Sequence, residues 1–203
     1  MTGQEHYFTA QPASPVELRT VGVELAGRRV QVQTAGGVFS PDHVDLGTQV
    51  LLRTAPPAPA QGDLLDLGCG WGPVALSLAL ESPDARVWAV DVNERALDLV
   101  RRNAAALGLA NVVAALPDDV PDDVRFATIR SNPPIRVGKD ALHTLLLRWL
   151  PRRTPGGDAH LVVGKNLGAD SLQRWLADAL GAGTVVERTA SAKGFRVLAV
   201  RDA

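Results

Sequence analysis

Two short runs of this chain carry residues whose types and spacing could do chemistry. Ser131-Asn132-Pro133-Pro134-Ile135 follows an apolar stretch, and Asp66-Leu67-Gly68-Cys69-Gly70-Trp71-Gly72 lies about sixty residues before it. An Asn followed by two prolines at a strand end fixes the backbone, because each Pro locks φ and lacks an N–H. The carbonyl oxygens are then expected to face a ligand. An exocyclic amine conjugated to a ring or carbonyl is a poor nucleophile. Hydrogen bonds from its N–H groups to the Asn132 side-chain oxygen and the Pro133 carbonyl would localise its lone pair, so such a site works by positioning and electrostatics. No general base is required, since the substituted amine becomes acidic and can lose its proton to water. Methyl transfer to a planar nitrogen is the chemistry indicated.

The glycine-rich run sits between an expected strand and an expected helix, where glycines let the backbone turn tightly and approach a ligand. Its glycines at 68, 70 and 72, followed by Pro73, do not meet the dinucleotide-binding fingerprint G-x-G-x-x-G, which disfavours a pyrophosphate cradle. Asp91 ends the next expected strand, 21 residues beyond Gly70, where its carboxylate could accept both hydroxyls of a ribose. The bland alternatives are a loop-organising role for Asp66 and a helix N-cap for Asp91. For Asn132-Pro133-Pro134 the alternative is a strand-ending turn.

These residues need a frame. Residues 16–34 alternate apolar and polar in two runs, Val16 to Leu25 and Arg28 to Thr34, separated by Ala26-Gly27, which reads as a β-hairpin. Asp45 to Arg53 has helical spacing, and Pro56, Pro57 and Pro59 then mark a break. Residues 1–61 are therefore read as a hairpin-and-helix extension and 62–203 as the main domain. That domain alternates strand and helix: Asp63–Leu67, Pro73–Leu80, Arg86–Val90, Glu94–Leu107 and Val112–Leu116. It continues with strand Ala127–Ser131, helix Lys139–Trp149, strand Ala159–Val163 and helix Ala169–Leu180. Strands Thr184–Thr189 and Phe195–Val200, turning at Lys193-Gly194, close it as a hairpin. Such alternation predicts an α/β fold with a mostly parallel sheet covered by helices on both faces.

The first motif and Asp91 resemble those of class I S-adenosylmethionine-dependent methyltransferases, a Rossmann-like fold with a seven-stranded sheet whose last strand is antiparallel. The resemblance implies that Gly68 and Gly70 pack against the methionine part of S-adenosyl-L-methionine and that Asp91 binds its ribose. Asp66 would act through water or the methionine amino group, and Val92 would lie beside the adenine. Asp118 and Asp119 lie near the place of the family's acid after the third strand, but the match is loose and the adenine N6 partner stays open. Gly37-Val38-Phe39-Ser40, Asp45-Leu46-Gly47-Thr48, Asn132 through Lys139, and Lys193 through Leu198 narrow the resemblance to the methyltransferase small-domain family. That family includes ribosomal RNA guanine-N2 methyltransferases. It implies an acceptor amine held by Asn132 and the Pro133 carbonyl, and Phe39 and Thr48 closing over the methionine end. Pro134, Ile135 and Lys139 would border the substrate mouth. The resemblance implies the short, single-domain branch of the family. A protein glutamine amide, another small conjugated amine, and a non-catalytic cofactor-binding role remain open beside RNA.

Composition bounds these readings. With 203 residues, 46% hydrophobic and 21% charged, the chain suits one α/β domain. Its apolar runs fall short of the ~20 residues that span a bilayer, residues 1–15 lack an apolar signal core, and the lone Cys69 offers neither a disulfide nor a zinc site, so a cytoplasmic location without metal is expected. A net charge of −1 gives no global attraction to nucleic acid. RNA contact then needs a local patch, or surface from a second copy or a partner. Arg136, Lys139, Arg148, Arg152, Arg153, Lys165, Lys193 and Arg196 are the candidates, read mostly as solvated surface. Lys139 and His143, four apart on an expected helix, read as surface and packing residues.

Overall fold

A computed structural model describes residues 17–203; Val16 and the segment before it, including the stretch read for a signal core, lie outside the described residues. The hairpin forms from β1 (Leu18–Leu25) and β2 (Arg28–Ala35), paired antiparallel in the register Leu18↔Ala35 to Leu25↔Arg28. Its turn uses Ala26 and Gly27 at φ 48° and 71°, the two left-handed residues that match the twist of a two-residue hairpin. Val23, Leu25 and Val32 point inward and share a core with Trp71 and Leu76, and with Ala96 and Leu99. Burial of such side chains stabilises by about 1.5–3 kcal/mol each.

Helix α1 (Leu46–Thr54) is capped by Asp45, whose carboxylate accepts the Gly47 and Thr48 N–H groups. Next come β3 (Asp63–Leu67), α2 (Pro73–Glu81), β4 (Arg86–Val90), α3 (Glu94–Ala106) and β5 (Val112–Ala115). Then follow β6 (Phe126–Ser131), α4 (Lys139–Trp149), β7 (Arg153–Gly164), α5 (Ala169–Leu180), β8 (Thr184–Ala192) and β9 (Phe195–Asp202). Seven strands form one sheet in the order β5-β4-β3-β6-β7-β9-β8, all neighbours parallel except the pairs made by the antiparallel last strand β9. The α/β seven-stranded fold with an N-terminal hairpin stands as read from the sequence. Alternate residues serve opposite faces: Leu65 and Leu67 pack toward α4 and α5, whereas Leu64 packs with Val50 and Leu51 of α1 and with α2 and α3.

One strand boundary differs widely from expectation. β7 begins at Arg153, six residues before Ala159, because Arg153 pairs with Phe126 and the Gly156 N–H donates to Asp202 Oδ2 at 2.9 Å. Pro155, Gly156 and Gly157 lie within this strand, near the bulge that shifts its register against β6. A Cβ at Gly157 would meet Thr154 Oγ1 at 2.8 Å, so this close approach requires glycine. No helix among the described residues is long and apolar enough to cross a membrane.

Candidate active site

The site lies at the carboxyl ends of β3, β4 and β6, where a change of strand order opens a crevice. After β3 the chain turns through Gly68, Gly70 and Gly72 at φ 76°, 53° and 98°, and Pro73 then starts α2. The Gly68 N–H donates to the Val90 carbonyl at 2.8 Å, and Ser131 Oγ donates to the Leu67 carbonyl at 2.6 Å. The glycine loop is thereby tied to β4 on one side and to the start of the Asn-Pro-Pro run on the other.

Asp91 faces this loop. Its Oδ2 accepts the Gly70 N–H at 2.9 Å and its Oδ1 accepts the Asn93 N–H at 2.9 Å. Burial raises its pKa, while the N–H groups of Asn93, Gly70 and Val92 oppose that rise. Asn93, not Asp91, caps α3, accepting the Arg95 and Ala96 N–H groups. Asp66 is buried beneath the loop, where its Oδ2 accepts the Ala75 N–H at 2.8 Å. Burial pushes its pKa up to about 8, against that hydrogen bond. Here Asp66 organises the loop and the first turn of α2. Cys69 is a buried packing residue whose thiol pKa burial pushes well up.

The segment after the hairpin closes the cleft from above. Asn93 Nδ2 donates to the Gly37 carbonyl at 2.9 Å, Arg95 to the Gly36 carbonyl at 2.7 Å, and Trp71 Nε1 to the Ser40 carbonyl at 3.0 Å. Asn103 binds both the N–H and the carbonyl of Gln33. Phe39, 40% exposed, lines the cleft rather than filling the core.

Asn132 is the hub. Its Nδ2 donates to Asp45 Oδ2 at 2.9 Å and to Thr48 Oγ1 at 3.1 Å. A carboxylate only accepts, so the amide nitrogen must face it. That leaves Oδ1 as the atom available to an acceptor amine. Pro134, at φ −75° and ψ 74°, forms an inverse γ-turn in which the Pro133 carbonyl accepts the Ile135 N–H at 2.8 Å. The expectation of an unengaged Pro133 carbonyl is corrected accordingly: one lone pair closes the turn and one is left for a ligand.

A cleft of about 380 Å³ joins these groups, within the ~300–1,000 Å³ usual for small-molecule sites. Gly68, Gly70, Asp91, Val92 and Pro117 line it together with Ile135, Arg136, Leu145, Leu167 and Phe195, and with Asn132 and Pro133. A Cβ at Gly70 would meet nothing within 4 Å, so the loop faces open space suited to a ligand. The donor set fits S-adenosylmethionine: a carboxylate at ribose reach, exposed Val92 and half-buried Pro117 for a flat base, and a backbone loop for the methionine end.

A family model described as the methyltransferase small domain matches residues 29–199. The chain belongs to the methyltransferase small-domain family. That membership carries the enzyme class and cofactor expected from the sequence, methyl transfer from S-adenosylmethionine. An uncharacterized Bacillus subtilis protein, YbxB, is 32% identical over 197 residues, covering 96% of each chain. Ribosomal RNA small subunit methyltransferase C of Salmonella choleraesuis is 35% identical over 178 residues, 85% of this chain and 50% of that one. The chain thus spans half the length of that relative. A T. thermophilus 16S rRNA N2 methyltransferase, solved with AdoMet and guanosine, shares the fold with a TM-score of 0.79 at 24% identity, over 95% of this chain and 52% of that one.

Within this family member, Asp66, Gly68, Gly70, Asp91, Val92, Phe39, Thr48, Asn132, Pro133, Pro134 and Ile135 converge on the cleft or the smaller recess beside it. Lys139 does not line it; exposed Arg136 does. Asp118 and Asp119 are exposed, Asp118 pairing with Arg148, so the cleft receives Pro117 instead. His143 stacks on Trp175, in keeping with a packing role. Sequence reasoning missed Asp45, Leu167 and Phe195 as parts of the site. For Asp45 a signal existed: a helix-capping residue three before Thr48.

Proposed function

We propose that the chain methylates the exocyclic N2 of guanine in RNA, ribosomal RNA first among candidates, as a cytoplasmic enzyme. The observation that carries this reading is the Asn132 amide, anchored through its nitrogen by Asp45 and Thr48 so that Oδ1 serves the acceptor. Oδ1 and the remaining lone pair of the Pro133 carbonyl accept the two N–H groups of the amine and localise its lone pair. When bound, S-adenosylmethionine supplies an electrophilic methyl group. Asp91 holds the ribose, Gly68 and Gly70 the methionine part, and Val92 the adenine, while Phe39 and Thr48 close the methionine end. Asp66 keeps the loop in shape. The apolar slot of Ile135, Leu145, Leu167 and Phe195, bordered by Pro134, suits a planar base turned out of its stack. Residues 62–203 form the catalytic unit in this reading, and 1–61 form the extension whose Gly36–Ser40 segment closes the cleft. The names of the rRNA relatives support the choice of RNA.

The test is incubation with tritiated S-adenosylmethionine and total RNA, separate ribosomal subunits, or protein extract, followed by nucleoside analysis of the labelled fraction. N2-methylguanosine is the expected product. Label in a protein glutamine would replace RNA by the amide substrate, and absence of label despite cofactor binding would favour a non-catalytic subunit or a missing partner.

A further inference from the structure

The eight candidate cations named from the sequence, out of a larger number of basic residues in the second half, separate into two groups once folded. Arg148 pairs with Asp118 at 2.8 Å, Arg153 with Asp202 at 3.4 Å, and Arg196 with Asp170. Arg152 is buried, donates to the Pro121 and Val124 carbonyls, and lies 4.8 Å from the Trp149 ring centroid. Those four cations are absorbed by structure. Arg136, Lys139, Lys165 and Lys193 are exposed, and among the described residues none has a side-chain hydrogen bond or ion pair.

These four share one edge of the molecule. Arg136 lies in the turn after Pro134 and lines the cleft, and Lys139 opens α4 just beyond it. Lys165 follows Gly164 at the end of β7, and Lys193 sits in the β8–β9 turn. The two segments are joined by the Lys165 N–H donating to the Gly194 carbonyl at 2.8 Å. Gly164 and Phe195, which flank those lysines, line the same cleft. Lys139, Lys165 and Lys193 are also the only lysines in the chain. Of the acids opening the adjoining helices, Asp140 neighbours Lys139, and Asp170 is taken up by Arg196.

We infer that Arg136, Lys139, Lys165 and Lys193 form a docking rim for the phosphate backbone of the RNA whose base enters the cleft. The inference rests on the nucleic-acid reading of the acceptor. A chain of net charge −1 attracts no polyanion as a whole, so unpaired cations gathered at one mouth supply a local field that the overall balance lacks. Compact ammonium charges suit phosphates and read no sequence, leaving base choice to the apolar slot and Asn132 below. A neutral amide side chain would make no such demand for cations.

The test is fluorescence anisotropy of a short, labelled, mixed-sequence single-stranded RNA, titrated with the full chain over a salt series. Wild type is compared with a Lys139→Gln, Lys165→Gln, Lys193→Asn triple variant and an Arg102→Gln, Arg201→Gln control. Asn accepts the left-handed backbone of position 193, at φ 49°, better than Lys, so the turn is kept. Each phosphate contact on a single strand contributes roughly 0.7 to the slope of log affinity against log salt, so the triple variant should be flatter by about 2. The control should match wild type, and S-adenosylmethionine affinity by calorimetry should be unchanged in both. An unaltered slope in the triple variant, an equal loss in the control, or wild-type binding of poly-glutamate as tight as that of RNA overturns the rim. Should the triple variant bind RNA normally while wild type still forms N2-methylguanosine, the rim falls and the guanine reading stands. Label confined to protein instead removes the guanine reading itself.

Discussion

Asp45 and Asn132, 87 residues apart in sequence, meet through a 2.9 Å hydrogen bond, and the same Asp45 oxygen accepts the Gly47 N–H at 2.8 Å. One carboxylate therefore both starts a helix and fixes the rotamer of the Asn132 amide, the group proposed to hold the acceptor. Asn132→Ala is expected to lower kcat by roughly 10²–10³-fold, the usual cost of a preorganised polar group, with cofactor affinity largely kept. Asp45→Ser still caps the helix but is too short to hold Asn132 as well. It should lower kcat about tenfold at near-normal thermal stability, whereas Asp45→Ala should lose about 1 kcal/mol in addition. Strong turnover in Asn132→Ala would remove its assigned role, and a Ser variant that matches wild type would remove that of Asp45.

Asp91→Ala should weaken S-adenosylmethionine binding by about 10–100-fold, since hydrogen bonds to a charged group are worth ~1.5–3 kcal/mol. Calorimetric titration checks this. Unchanged affinity would refute the ribose assignment and leave Asp91 as a brace between Gly70 and Asn93.

Gly47→Ala would place a Cβ 2.9 Å from both Phe195 Cε1 and Asp45 Oδ2. Either the ring or the carboxylate must move, at a cost of ~1–3 kcal/mol typical of overpacking. A lowered melting temperature together with reduced kcat is expected. A variant with normal stability and turnover would show that this contact is soft.

Burial raises the Asp66 pKa from 3.8 to about 8, so the folded chain keeps a proton there that the unfolded chain releases above about pH 4. This contribution to stability is therefore complete at low pH and is lost as pH rises toward about 8. Asp66→Asn mimics the protonated form and should lack the loss. Thermal unfolding from about pH 5 to about pH 8 should show wild type falling by several degrees relative to the variant; parallel curves would place the Asp66 proton elsewhere.

Local chemistry made much of the frame legible. Helix α5 begins and ends at Ala169 and Leu180 as the periodicity predicts, and β4 spans Arg86–Val90 as read, because alternation and punctuation act over a few residues. β7 was legible only in its apolar half. Its glycine-rich start is held by Phe126 and Asp202, partners that no local pattern reveals.

By itself the sequence determined that a glycine loop and an Asn-Pro-Pro run end strands of one α/β sheet, with Asp91 at the end of the next strand. Backbone propensity and spacing suffice for that, since each motif acts within its own turn. Tertiary structure decided which atoms face the cleft. It turned the Asn132 amide by bringing Asp45 and Thr48 to it, used one lone pair of the Pro133 carbonyl in a turn, and pinned Phe39 over the cleft through Asn93 and Trp71. It also divided identical-looking cations into paired ones and a bare rim. Orientation and pairing depend on groups far apart along the chain, and only packing sets the distances at which hydrogen bonds and charges act.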